Sequence, residues 1–200
     1  MTDTPLRDGG RLLFAPAFLP PADADTLLAH LLANLPWQQD RIFGRPAPRL
    51  TAWIADVGIE YRYSGLAHVG TGWGFGLEAV RDAVWAASGC RFNSLLLNRY
   101  RDGNDSIGMH ADDEPELGEN PTVATLSLGA ERTFVLRHAA AKETVKVRLP
   151  HGSLLVMAGT TQTHWRHGVP KTAEAVGERV SLTFRRIGPV PASRGPSGPR

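Results

Sequence analysis

Cysteine is almost absent from this 200-residue chain: Cys90 is the only one. That excludes a disulfide framework and a zinc site built from several thiolates. Long apolar runs are missing as well, and no stretch reaches the roughly eighteen residues of a membrane-spanning helix. The first residues lack the basic-then-apolar order of a secretory leader. A cytoplasmic protein with no membrane partner is therefore expected. Lysine is scarce, with Lys142, Lys146 and Lys171 standing against 19 arginines. A strong net charge is also missing: 22 basic and 20 acidic residues leave +2.

What is present fits one globular domain with a sizeable core, at 42% hydrophobic and 21% charged residues. The small total charge hides a division. Residues 1–120 carry 10 basic and 16 acidic residues, and residues 121–200 carry 12 and 4. Arginine favours planar, two-pronged contacts with carboxylates and phosphates, so the basic excess of the second segment is of interest.

Local pattern divides the chain further. Residues 1–20 are punctuated by Pro and Gly and read as irregular. Leu27, Leu28, Leu31, Leu32 and Leu35 recur at helical spacing, predicting a helix over 22–35 that Pro36 closes. Gly44, Pro46 and Pro48 mark a hairpin tip within 40–50. Residues 59–63 alternate like a strand, and a second helix is predicted over 76–88, with Gly89 past its end. From residue 94 short alternating runs follow one another: 94–100, 122–128, 133–137, 144–149, 153–157 and 179–185. Such a series predicts an antiparallel jelly roll. Gly188 to Arg200, with four Pro and three Gly, read as a disordered tail.

Segment 98–114 holds most of the chemistry. His110-Ala111-Asp112 places an imidazole and a carboxylate two residues apart, on one side of an extended chain. A second imidazole would complete the two-His-one-carboxylate set of non-haem Fe(II) oxygenases. His164 and His167 are both candidates; His138 and His151 fall at turns. On 179–185, Arg179, Ser181, Thr183 and Arg185 share one face, opposite Val180, Leu182 and Phe184. Two Arg on one strand face either lie on a solvated outer face or, if buried, demand partners. At ~3.3 Å per residue their Cα atoms are about 20 Å apart, so a small diacid between the two side chains would serve both. Asn98 and Tyr100 point to the same interior.

Together these residues resemble the AlkB family of Fe(II)- and 2-oxoglutarate-dependent nucleic-acid dealkylases. The pattern is Asn98-x-Tyr100-x-Asp102-Gly103, His110-x-Asp112, Trp165-x-His167-x-Val169-Pro170 and Arg179-x-x-Leu182-Thr183-Phe184-Arg185. A looser likeness runs through Pro48-Arg49-Leu50-Thr51-Ala52-Trp53 and Tyr61-Arg62-Tyr63-Ser64-Gly65. The resemblance implies one catalytic domain over 1–187. It would have an N-terminal helical and nucleotide-recognition-lid extension to about residue 90, then a double-stranded β-helix core. It also implies that His110, Asp112 and His167 bind iron, with O2 as co-reactant. Arg179 and Tyr100 would hold the far carboxylate of 2-oxoglutarate, with Asn98, Ser181 and Arg185 toward its other end. The family often has Asn where Ser181 stands. Tyr61, Tyr63, Asp113 and Glu114 would meet the damaged base.

Arg41-Ile42-Phe43-Gly44-Arg45 resembles the finger of duplex-acting animal members. Phe43 would fill the gap left by a flipped base while Arg41 and Arg45 hold phosphates. The function implied is oxidative demethylation of 1-methyladenine and 3-methylcytosine in DNA by a monomeric enzyme. Action on RNA or a non-nucleic substrate, and a catalytically silent nucleic-acid-binding module, stand as alternatives.

Overall fold

The alternation of the later segments sorts onto two sheets in the computed structural model, which describes residues 1–42, 44–63 and 66–188. In chain order the N-terminal elements are β1 (Thr2–Pro5), β2 (Gly10–Ala15), α1 (Pro21–Asn34), β3 (Arg41–Ile42), β4 (Arg45–Pro46), β5 (Leu50–Ala55), β6 (Glu60–Tyr63), β7 (Leu66–Val69) and α2 (Leu77–Ser88). Next come β8 (Ser94–Tyr100), β9 (Ile107–His110), β10 (Val123–Gly129), β11 (Arg132–His138) and β12 (Thr144–Leu149). The last are β13 (Ser153–Gly159), α3 (Thr161–His164), β14 (Trp165–Val169) and β15 (Arg179–Arg185). Seven strands pair in the order β1-β2-β13-β10-β15-β8-β5, and four in the order β12-β11-β14-β9. The result is a mainly β molecule with a jelly-roll core and flanking helices.

The larger sheet has two unlike faces. Leu95, Leu97, Leu126, Leu128, Leu154, Val180, Leu182 and Phe184 form one, and α1 and α2 cover it with Leu31, Leu77 and Val84. Each such fully buried side chain contributes about 1.5–3 kcal/mol. The other face carries Asn98, Tyr100, Thr125, Arg179, Ser181, Thr183 and Arg185, and it looks across at His167 and Phe134 of the smaller sheet. Two-residue periodicity thus puts the core on one side of a strand and the polar interior on the other.

Helix limits follow local chemistry. Pro21 starts α1, where its missing N–H costs nothing, and Asp23 lies in the first turn. Gly89 ends α2 in the left-handed region (φ 71°), its N–H bonded to the Trp85 carbonyl.

Residues 1–20 are not irregular, as the sequence pattern had implied. β1 and β2 form a hairpin, and β2 joins the large sheet against β13, from Gly10↔Gly159 to Ala15↔Leu154. The Pro and Gly residues sit at the strand ends, and Leu12 and Leu13 pack into different clusters on opposite faces. A strand covered on both sides shows no polar alternation. Cys90 is half-buried. Phe43, the Tyr63 side chain and residues 189–200 lie outside the described residues.

Candidate metal centre

β9 ends at His110, and the extended chain beyond it carries Asp112. β14 pairs with β9 so that His167 lies directly opposite His110, with a register shift before Val169↔Ile107. Three side chains distant in sequence thereby converge. His110 Nε2 lies 3.9 Å from Asp112 Oδ1, and His167 Nε2 lies 3.9 Å from Asp112 Oδ2. All three ligand atoms fall within 4.8 Å of one another. His110 Nδ1 donates to the Gly108 carbonyl at 2.9 Å, which leaves the Nε2 lone pair directed at Asp112. Phe134 lies against the His167 ring, with centroids 5.3 Å apart.

Asp112 is 2% exposed. Burial alone would raise its carboxyl, but the Arg185 guanidinium and the two imidazoles outweigh that and hold it at about 2. Arg185 Nη2 donates to Asp112 Oδ1 at 2.8 Å, and Gln162 Oε1 accepts the Asp112 backbone N–H at 3.0 Å. Asp112 Oδ2 is buried with no hydrogen-bond partner. Burial, reinforced by His110, pushes His167 down to about 3, so its ring is neutral near neutral pH and fit to ligate a metal.

A second group, Asp8, His138 and His164, also has metal-like spacing. Its hydrogen bonds argue against a metal. His138 Nδ1 accepts the backbone N–H groups of Ala140 and Ala141. The ring proton must then sit on Nε2, where it is donated to Asp8 Oδ2 at 2.8 Å. A metal-binding imidazole uses the opposite arrangement, with its outer nitrogen donating. His164 therefore belongs to a structural cluster, and His167 to the metal set.

Behind the metal set, β8 and β15 align Tyr100 with Arg179 and Asn98 with Ser181. Arg179 is 1% exposed, yet its Nε and Nη1 have no partner. Its Nη2 donates to Ser127 Oγ at 2.8 Å, and the guanidinium carbon lies 5.1 Å from the Tyr100 ring centroid. Arg185 Nε is likewise buried and unpaired. Unsatisfied buried cations are costly, and an anionic ligand between the two arginines would satisfy them. The residues present fit Fe(II) with a small oxo diacid. A cavity of about 480 Å³ opens instead at the outer edge of β5. It holds neither His110 nor either interior Arg, so chemistry and not volume locates the site.

The base-contact candidates are partly gathered. Tyr61 is buried, and burial raises both its hydroxyl and the neighbouring Glu114 carboxyl. Glu114 Oε2 is buried without a hydrogen-bond partner. Asp113 is exposed, as are Arg41 and Arg45 on the separate β3-β4 hairpin. Arg41 Nη2 donates to the Gly44 carbonyl at 2.8 Å, closing that turn. Sequence reasoning missed Gln162, Ser127, Arg49 and Arg132. Arg132 ties the carbonyls of Asp102, Asp105 and Pro170 together beside Tyr100. Only Arg49 falls in a stretch that the resemblance covers, and there without a role; all four matter through contacts far along the chain.

A family model for the 2OG-Fe(II) oxygenase superfamily matches residues 11–185. The rat protein "Alpha-ketoglutarate-dependent dioxygenase alkB homolog 3" is 39% identical over 195 residues, covering 90% of this chain and 65% of that protein. The human "DNA oxidative demethylase ALKBH2" is 43% identical over 157 residues, covering 74% of this chain and 60% of that protein. The chain thus spans about two thirds of the length of such relatives. The solved structure of OsALKBH1 superposes with a TM-score of 0.65 at 17% identity, over 92% of this chain and all of that one, which speaks for the fold alone. With the two-His-one-Asp cluster and the jelly roll in place, the chain belongs to the 2OG-Fe(II) oxygenase superfamily, in its AlkB branch.

Proposed function

We propose that this protein is an Fe(II)- and 2-oxoglutarate-dependent dioxygenase that demethylates 1-methyladenine- and 3-methylcytosine-type lesions in DNA. The carrying observation is the His110–Asp112–His167 cluster facing two buried arginines with unpaired donors. Bound iron, 2-oxoglutarate and O2 supply the oxidising power, with succinate and carbon dioxide as co-products. His110, Asp112 and His167 hold the metal and leave positions for other ligands. Arg179, with Ser127 and Tyr100, receives the far carboxylate; Asn98, Ser181 and Arg185 serve the near end. Glu114 offers a buried acceptor, Oε2, to an exocyclic amino group of the base. In this reading Tyr61, Tyr63 and Asp113 are also assigned to the base. Hydroxylation of the alkyl carbon gives a hemiaminal, which breaks down to an aldehyde and the repaired base.

Charge supports a polyanionic substrate. On the outer face of the smaller sheet, Arg137 of β11 lies directly opposite Arg166 of β14. Both are exposed, and neither has an acidic partner among the described residues. Like charges opposite each other destabilise a strand pair, and a phosphate backbone relieves that repulsion. Arg137, Lys146, Arg148 and Lys171 line a groove there of about 280 Å³ together with Glu131 and Glu174, and Arg148 is paired with Glu131. The names of the relatives favour DNA; RNA is the competing substrate. The target base must leave its stack or come from a single strand, and the finger reading gives Phe43, Arg41 and Arg45 the task of holding an opened duplex. We read the enzyme as a monomer, because edge strand β12 carries Lys146 and Arg148 and edge strand β1 ends in Pro5, both of which discourage edge pairing. Among the described residues no helix is long and apolar enough to cross a membrane.

The test is turnover of DNA and RNA oligonucleotides, single- and double-stranded, each with one methylated base. Aldehyde release from methylated DNA, absent with unmethylated DNA, is the expected result. Succinate formation that no oligonucleotide stimulates would point to a non-nucleic substrate, and no metal binding at all would point to a silent module. Phe43→Ala should slow the duplex reaction about tenfold or more while sparing the single strand. Equal losses would remove the finger.

A further inference from the structure

Arg49 has no part in the reaction as described so far, yet it is a buried cation at the site, 2% exposed. β5 pairs with β8 so that Thr51 lies opposite Asn98. Arg49, two residues before Thr51, therefore shares the face of Asn98 as its diagonal neighbour. Its Nε donates to Asn98 Oδ1 at 2.7 Å. Asn98 is 4% exposed and lines the interior with Ser181 and Arg185.

A side-chain amide presents an acceptor on one arm and two donors on the other. Holding Oδ1 against Arg49 turns Nδ2 away from it, toward the interior. An anionic oxo acid bound there needs donors, and the flipped amide would offer it oxygen lone pairs instead. We infer that Arg49 is a positioning residue for the cosubstrate, locking the Asn98 amide with its N–H groups facing 2-oxoglutarate. The inference rests on the reading of the barrel interior as the 2-oxoglutarate site. A neutral amide with no fixed partner has little to choose between its two orientations; a buried guanidinium accepts only one.

Calorimetric titration of 2-oxoglutarate into the Mn(II)-loaded protein tests this without turnover. Arg49→Met should weaken binding on the order of tenfold, the scale of one charge-assisted hydrogen bond, and Arg49→Lys should restore part of the loss. Asn98→Asp, which still accepts from Arg49 but cannot donate, should lose affinity while keeping its melting temperature. In an Asn98→Ala background, Arg49→Met should cost less than about twofold more, because the group it orients is gone. Unchanged affinity in Arg49→Met would overturn the inference, as would equal losses in both backgrounds or a fall in melting temperature without a fall in affinity. Wild-type protein that binds no 2-oxoglutarate would overturn the cosubstrate reading itself.

Discussion

Asp112 gathers opposing electrostatic effects into one carboxylate. Burial disfavours its charge; Arg185 and two imidazoles restore it. His167 is pushed the other way, toward neutrality. Both shifts give the metal-free protein a defined response to acid. The His167 pKa is lower folded than unfolded, so as pH falls below about 6.5 the unfolded chain takes up the proton first. Stability should fall from about pH 6.5 toward 3, by up to ~1.4 kcal/mol per pH unit from this group. The depressed Asp112 adds a further loss between about pH 4 and 2. Urea unfolding of the metal-free protein at pH 7.5 and 5.5 should show the first effect, and His167→Gln should flatten it; an unchanged midpoint would contradict the buried neutral imidazole. In Mn(II) titrations His167→Ala should abolish tight binding while His164→Ala leaves it within about twofold, since the His138 tautomer excludes a metal beside His164. The reverse ranking would relocate the site.

Pairing between β14 and β9 is the element on which the metal set depends. His110 and His167 face each other only because these strands run side by side. Gly168 permits that closeness: a Cβ there would sit 2.8 Å from the Ile107 carbonyl oxygen and 2.9 Å from that of Gly108. Gly108 also holds His110 Nδ1. Gly168→Ala should therefore push β9 outward and weaken Mn(II) binding about tenfold or more, with a smaller loss of melting temperature; a misplacement near 1 Å is enough for such losses at a site. Unchanged metal affinity would show that β9 has slack. Several elements were legible in sequence. The strands at 94–100, 144–149 and 179–185 match β8, β12 and β15, and both helices lie within a residue of the reading. β2 was not legible because both of its faces are covered, and β9 and β14 are short strands interrupted by Gly108 and Gly168.

At the scale of the whole molecule, the divided charge of the chain becomes a spatial pattern. Arg179 and Arg185 turn inward. Arg137, Lys146, Arg148 and Arg166 face outward on the smaller sheet, with Lys171 in the segment after β14. If that face carries the phosphate backbone, replacing Arg137 and Arg166 by Gln should weaken oligonucleotide binding uniformly across sequences. It should also reduce the slope of log affinity against log salt by about 0.7–0.9 for each phosphate that the protein no longer neutralises. Binding isotherms at several salt concentrations would show it, and an unchanged slope would assign the phosphates to another surface.

Sequence alone determined which residue types were available and the faces they occupied. A strand's two-residue period set Arg179, Ser181 and Arg185 opposite Val180, Leu182 and Phe184, whatever the fold around them. It also made His110 and Asp112 neighbours on one side. The third ligand was a different matter, because spacing alone left His164 and His167 equal and only the family resemblance singled out His167. Tertiary structure brings His167 opposite His110 by pairing β14 with β9, and it ties up His138 beside His164. The same holds for Arg49, Ser127 and Gln162, whose partners lie 49, 52 and 50 residues away. Contacts of that range are set by strand order and register, which no local period records.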